Sequence, residues 1–178
     1  MKIAVDAGHG GKDPGAVKNK IKEKEINLKI AKYLKDDLEE LGYEVYMTRI
    51  DDTLEGLYHR AGNANEENCD IFVSIHNNAA SNKNASGSEV IYYPESNKGK
   101  QLAECIQRNQ IKALDSNDRG VKTNDNFVVL NSTLMPAVIV ESLFITNDEN
   151  RRMLSNEETL YTIAEAIKSG IVEYEGLI

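Results

Sequence analysis

The sequence predicts a single α/β domain, residues 1–178, built on a mostly parallel sheet with helices on both faces. Three observations predict it. Short apolar runs alternate with amphipathic helical stretches from end to end. No internal repeat, low-complexity tract or interdomain linker interrupts that alternation. The length of 178 residues suits one domain with a core of its own.

Taken in order, Lys2 to Asp6 is a short apolar strand, followed by a loop rich in glycine (Gly8, Gly10, Gly11, Gly15). Ile26, Ile30, Leu34, Leu38 and Leu41 recur at helical spacing, and Gly42 is placed to end that helix. Tyr43 to Thr48 is the next strand, and Leu54 to Asn68 a helix with Leu57, Ala61 and Ala64 on one side. Asp70 to Ile75 is nearly all apolar, as a strand covered on both faces would be. Ala79 to Ser86 is small and rich in Asn and Ser, hence a loop. Ser88 to Tyr93 alternates as a strand does and stops at Pro94. Lys98 to Leu114 reads as a helix, Phe127 to Leu130 and Ala137 to Val140 as strands, and Thr159 to Tyr174 as the closing helix.

Composition excludes some classes of function. A net charge of −8 argues against nucleic-acid binding, which needs clustered Lys and Arg. No apolar run approaches the roughly 20 residues that span a bilayer. Cys69 and Cys105 are too few and too far apart for a disulfide framework or a CxxC metal site, and are expected to be reduced thiols in or near the core.

Three residues capable of metal ligation or proton transfer stand at the ends of apolar runs: His9 in VDAGHGG, His76 in FVSIHNNA and Glu141 in AVIVESLFITN. In open α/β sheets, ligand sites gather outside the carboxyl ends of the strands, which is where this pattern places all three. A single histidine there would more simply be a hydrogen-bonded core residue; two histidines with an acid in equivalent positions point to a shared site. Two histidines and a glutamate around Zn²⁺, with a second glutamate left free, are the requirements of a metal-dependent amide hydrolase.

Helix geometry separates Glu23 from Glu25. Glu23, Ile26 and Ile30 stand at i, i+3 and i+7, so Glu23 lies above the buried stripe. Its place at the helix N-terminus suits either a capping residue or a metal ligand. Glu25 points away, where it can pair with Lys29, and Lys22, Lys24 and Lys29 are expected on a solvated face.

These segments resemble the zinc-dependent N-acetylmuramoyl-L-alanine amidases of the amidase_3 family. The matching elements are DAGHGG with a following DPGA, EKEINL, MTR with DD, SIHNNA, GSE, DRGVK, and MPAVIVES with FITN, in the family's order along nearly the whole chain. The resemblance implies a twisted, mostly parallel six-stranded sheet flanked by helices. It implies that His9, Glu23 and His76 bind one Zn²⁺ and that Glu141 is the catalytic glutamate. The substrate implied is peptidoglycan, cut between the lactyl group of N-acetylmuramic acid and L-alanine. Asn78 matches the family asparagine and Arg60 a family arginine; substrate contact is one role for each, and a structural ion pair the other for Arg60. Asn77 stands where Ala is frequent, and Leu143 where Gly is.

His59 is not called for by the resemblance and is expected on a helix surface. The loop Ala79 to Ser86 follows His76 directly and is a candidate for substrate contact. A monomer is expected, with no long inserted helix to block the site. Met1 sits directly on the first strand, so no export leader is expected in this chain. A secreted or wall-associated enzyme with a wall-binding domain elsewhere, or a phage lysin released by another route, would fit that reading. A zinc peptidase or sugar deacetylase would use the same donor set, and an inactive wall-binding module is the alternative outside enzymes.

Overall fold

A computed structural model describes residues 1–178. In chain order the elements are β1 (Lys2–Ala7), a small ribbon of β2 (Val17–Lys18) and β3 (Ile21–Lys22), α1 (Glu23–Glu40), β4 (Glu44–Met47), α2 (Leu57–Glu66) and β5 (Ile71–Asn78). Then come β6 (Ser88–Tyr92), α3 (Asn97–Leu114), β7 (Asp118–Thr123), α4 (Val128–Asn131), β8 (Ala137–Phe144), α5 (Asp148–Leu154) and α6 (Glu157–Glu175). The main sheet has six strands in the order β4-β1-β5-β8-β6-β7. The first four are mutually parallel, β6 is antiparallel to β8, and β7 runs parallel to β6. The expected mostly parallel α/β fold is the one observed.

The two faces of this sheet are covered unequally, and that asymmetry creates the site. Ile3, Val5, Val73, Ile75, Val138 and Val140 face α1, α3 and α6 in a core cluster of 29 buried residues. The alternate residues Ala4, Phe72, Ala137 and Ile139 face α2 and α4 in a cluster of nine. The thinner side leaves the carboxyl ends of β1, β5 and β8 accessible. Register fixes what stands there: His76 pairs with Glu141 across β5 and β8, and Glu141 pairs with Glu89 across β8 and β6. Paired residues share a face, so these three side chains form one row.

Beneath the row lies a buried ionic network. Asp6 pairs with Arg60 Nη1 at 2.6 Å and accepts from Thr48 Oγ1 at 2.6 Å and Ser74 Oγ at 2.5 Å. Arg60 also donates to the carbonyls of Ala7, His9 and Glu55. Arg49 donates from a second direction, to Ala7, Gly8, Lys24 and Asp51 carbonyls. The β1–α1 connection is thus held by two arginines that are themselves buried.

Several elements differ from the sequence reading. Val128–Asn131 is a short helix, not a strand; Asn124 Oδ1 accepts from Asn126 N and Phe127 N and turns the chain just before it. The strand Asp118–Thr123 went unread because an edge strand tolerates charge and glycine. The helix Asp148–Leu154 was also missed, although Asn147 caps it by accepting from Glu149 N and Asn150 N. Lys24 is not on a solvated face: it is buried, donating to Gly11 O at 2.8 Å and Asp52 Oδ2 at 2.6 Å. Glu25 pairs with Lys22, while Lys29 reaches Glu157. Cys69 and Cys105 are free and buried, as expected. No helix is long and apolar enough to cross a membrane.

Removing one partner of a buried ion pair strands the other, so Arg60→Ala is expected to cost about 3–5 kcal/mol in a denaturant titration. Burial alone would raise the Asp6 pKa, but Arg60, Ser74 and Thr48 hold it below the usual carboxylate range. Such a group contributes stability above its unfolded pKa of about 3.9, lost as pH falls through its lower folded value. Thermal melts of Asp6→Asn are therefore expected to show lower stability at neutral pH and a shallower further loss below about pH 4 than the parent protein.

Candidate metal centre

The first residues of the centre come from the loop after β1. His9 adopts a left-handed backbone with φ 63°, flanked by glycines. This turns its ring toward α1 and β5. Its Nδ1 lies 2.8 Å from Asp13 Oδ2, and its Nε2 lies 3.1 Å from Glu23 Oε2. Glu23, the first residue of α1, extends its other oxygen Oε1 to His76 Nδ1 at 3.0 Å. The same carboxylate accepts from Ala16 N, Asn77 N and Asn27 Nδ2. It makes no bond to the first amides of its own helix, so it is directed at the histidines rather than serving as a cap.

One donor atom from each of His9, Glu23 and His76 falls within 4.8 Å of the others. Donors about 2.0–2.2 Å from a tetrahedral Zn²⁺ stand roughly 3.3–3.5 Å apart; the contacts of 3.1 and 3.0 Å run from His9 and His76 to different oxygens of Glu23, and a set of one donor per residue, all within 4.8 Å of one another, would close modestly around an ion. The Asp13 carboxylate on His9 Nδ1 is the outer partner that fixes ring orientation and tautomer in such sites. Two glycines keep the space open. A Cβ on Gly8 would lie 2.3 Å from His76 Cε1 and Nε2, and one on Gly15, at φ 63°, would lie 2.6 Å from both Glu23 Oε2 and His9 Cδ2.

The electrostatics suit a cation. Burial disfavours a charged His9, yet Glu23 and Asp13 outweigh it and raise the imidazole pKa to about 9. His76 is raised too, with burial opposing and Glu23 and Glu141 prevailing. Glu23 is held well below the carboxylate range by both histidines despite its burial. The cluster attracts positive charge, which protons or a dication can supply.

Glu141 faces the same cavity of about 610 Å³ that His9, Glu23 and His76 line. Burial, reinforced by Glu23 and Glu89 and opposed by His76, pushes its pKa up to about 7. Its Oε2 is buried without a hydrogen-bond partner. A buried carboxyl with an unpartnered oxygen, on a residue that lines the cavity beside a cation-attracting triad, is suited to acid–base work.

The structure brings His9, Glu23, His76 and Glu141 together. Asn78 and Arg60 also line the cavity. Asn78 is committed to Glu89 through Nδ2 and to Ala79 N through Oδ1, and Arg60 to Asp6 and three carbonyls. His59 is exposed on α2, away from the centre. The loop 79–86 is tied to the β8–α5 turn by Ala80 N to Thr146 Oγ1 and Asn147 Nδ2 to Lys83 O. Asp13, Arg49 and Glu89 were given no role from sequence. For Asp13, the available signal was a carboxylate four residues after His9 in a glycine-rich loop.

Comparison with known proteins agrees with this geometry. A profile of the family described as N-acetylmuramoyl-L-alanine amidase matches residues 3–173. The chain is 39% identical over 175 residues to the N-acetylmuramoyl-L-alanine amidase LytC of Bacillus subtilis, covering 97% of this chain and 35% of LytC. It is 42% identical over 180 residues to the endolysin of Bacillus phage SPP1, covering 96% of this chain and 65% of the endolysin. The chain thus spans less than two thirds of the length of these two relatives. The CwlD amidase of Clostridioides difficile, solved in complex with the GerS lipoprotein, superposes with a TM-score of 0.96 at 33% identity, covering 99% of each chain.

If Asp13 orients His9 for a metal, Asp13→Ala should weaken Zn²⁺ affinity by about 10–100-fold while leaving the fold intact. Competition with a chromogenic chelator, alongside circular dichroism, measures both.

Proposed function

Because the chain belongs to the amidase_3 family of N-acetylmuramoyl-L-alanine amidases, we propose that it is a zinc-dependent peptidoglycan hydrolase. Its bond is the amide joining the lactyl carbonyl of N-acetylmuramic acid to L-alanine. The observation that carries this reading is that Glu141, a buried carboxyl with an unpartnered Oε2, lines the same cavity as the His9–Glu23–His76 donor cluster. The relatives, an N-acetylmuramoyl-L-alanine amidase and a phage endolysin by name, support peptidoglycan as substrate and action at the cell wall.

His9, Glu23 and His76 would hold the ion, one imidazole or carboxylate donor each. Bound there, Zn²⁺ supplies a Lewis acid for the scissile carbonyl and lowers the pKa of a water toward about 7. Glu141 would accept the proton of the attacking water on its carboxylate. It returns that proton to the nitrogen of L-alanine, without which an amide nitrogen leaves poorly. A carboxyl whose affinity for protons is raised by burial is suited to both halves of that transfer. Asp13 and the Asn27–Asn77 pair keep the donors oriented, since each bonds a ligand residue or its support.

Glu141→Ala is expected to lose turnover on insoluble peptidoglycan by at least about 100-fold while retaining one Zn²⁺ per chain. His9→Ala and His76→Ala should lose metal and activity together. Mass spectrometry of the released ends identifies the bond: stem peptides beginning with a free L-alanine amine are expected, and a chelator should abolish their release. Acetate release would identify a deacetylase instead, and new amines inside the stem an endopeptidase. A Glu141→Ala enzyme with near-normal turnover would overturn the acid–base assignment.

A further inference from the structure

Beyond the metal centre, the row His76–Glu141–Glu89 continues onto the edge strand β7, where it meets two cations. Ser88 pairs with Asp118, but Val90 pairs with Val121, so two steps of β6 oppose three of β7. This is a β-bulge, and Gly120, at φ 73°, lies within it. In a regular strand, residues three apart face opposite ways; the extra residue puts Arg119 and Lys122 on the same face. Both reach Glu89 Oε2, Arg119 through Nε at 2.6 Å and Lys122 through Nζ at 2.6 Å. Glu89 Oε1 is taken by Asn78 Nδ2.

The Arg119 guanidinium is fixed twice over, by its Nε bond to Glu89 and by lying 4.9 Å from the centroid of the Phe144 ring. Its two terminal nitrogens make no hydrogen bond within the protein, and Arg119 lines, with Asn84, Ser86 and Asn117, a polar basin of about 420 Å³ separate from the cavity of Glu141. One buried carboxylate against two cations leaves this triad with net positive charge. Asp118 also lines the basin, with Oδ1 accepting from Gln107 Nε2 and Gly120 N, so recognition there rests on the free guanidinium fork rather than on an excess of positive charge. An oriented fork with both outer nitrogens free matches a carboxylate.

We propose that Arg119, seconded by Lys122, forms a carboxylate-binding subsite for the acidic residue that follows L-alanine in the substrate's peptide. This rests on the amidase reading above. The glycan of peptidoglycan offers no carboxylate once the lactyl group is amidated, so a cation beside the cleft must serve the peptide side. Distance narrows the choice of residue. Glu89 stands directly across from Glu141, one strand spacing of about 5 Å away, and the guanidinium lies against Glu89. A span of roughly 7–10 Å from the acid–base group is two to three residues of extended chain, a range that includes the acidic residue that follows L-alanine.

The test uses two muramoyl peptides that differ only at the residue after L-alanine, D-glutamate with a free α-carboxylate or its α-carboxamide. The zinc-loaded parent protein is expected to favour the carboxylate form by about tenfold or more in kcat/KM, through KM. In Arg119→Gln that preference should fall to about one, and Arg119→Lys, which keeps a cation for Glu89, should retain only part of it. Equal kcat/KM for the two substrates in the parent protein, or a preference that survives Arg119→Gln, overturns the subsite. If neither muramoyl peptide is cut, the amidase reading fails. Calorimetric titration of the corresponding free tripeptides, L-alanyl-γ-D-glutamyl-L-lysine and its carboxamide, then decides the subsite separately. Selective binding of the acid, lost in Arg119→Gln, supports it, and equal affinities overturn it. Should Arg119→Gln fail to fold, the same comparison is read from Arg119→Lys.

Discussion

The Glu23 carboxylate is the contact on which this site is assembled. One oxygen meets His9 and the amide of Ala16; the other meets His76, the amide of Asn77 and the Asn27 side chain. It therefore joins the loop after β1, the start of α1 and the end of β5 through a single buried group. A lone buried carboxylate would be costly, but one that accepts from two amides and faces two imidazoles stays ionised. The negative charge buried in the cavity is also the tie that holds the chain segments around it.

That tie needs a rigid backbone opposite it. His9 occupies left-handed space, a conformation that costs a non-glycine residue free energy and persists only where its surroundings impose it. Here they do. Arg60 takes the carbonyls of Ala7 and His9, and Arg49 those of Ala7 and Gly8, so three successive carbonyls are bound by guanidinium groups. Arg60 is in turn neutralised by Asp6, one row below the site on the same sheet face. Arg60, for which the sequence left both a structural ion pair and a substrate contact open, is thus spent on an ion pair and on holding the His9 loop. It affects chemistry through the position of His9.

Much of this was legible in the sequence. His9, His76 and Glu141 stand at strand ends, and the i, i+3, i+7 spacing of Glu23, Ile26 and Ile30 marked Glu23 as the inward acid of its helix; the structure brings all four to one cavity. Periodicity located the buried strands because their apolar runs are long and unbroken. It failed where tertiary contacts replace local pattern. Lys24 resembled a solvated lysine, since nothing in its neighbourhood announces Asp52 twenty-eight residues later. Val128 and Val129 suggested a strand, but the turn set by Asn124 and packing on α2 make a helix of them. The edge strand β7 was hidden because its residues answer to Glu89 and to solvent rather than to the core.

The row His76–Glu141–Glu89 shows why fold and chemistry cannot be separated here. Side chains on a strand alternate faces, so a slip of one residue between β5 and β8 would send Glu141 into the apolar layer under α3 and α6 and turn Val140 or Ser142 toward the cavity. The thick layer resists that slip: Val138, Val140 and Leu143 are buried in it completely, and Val140 stands next to Glu141, which the slip would bring into the layer. The register that sets Glu141 beside His76 is thus maintained by residues that never touch the site. The thin layer on the other face performs the complementary task. With only α2 and α4 over it, the sheet keeps its apolar residues covered and leaves the charged row open to a ligand. One face supplies the energy that fixes the geometry, and the other exposes the result.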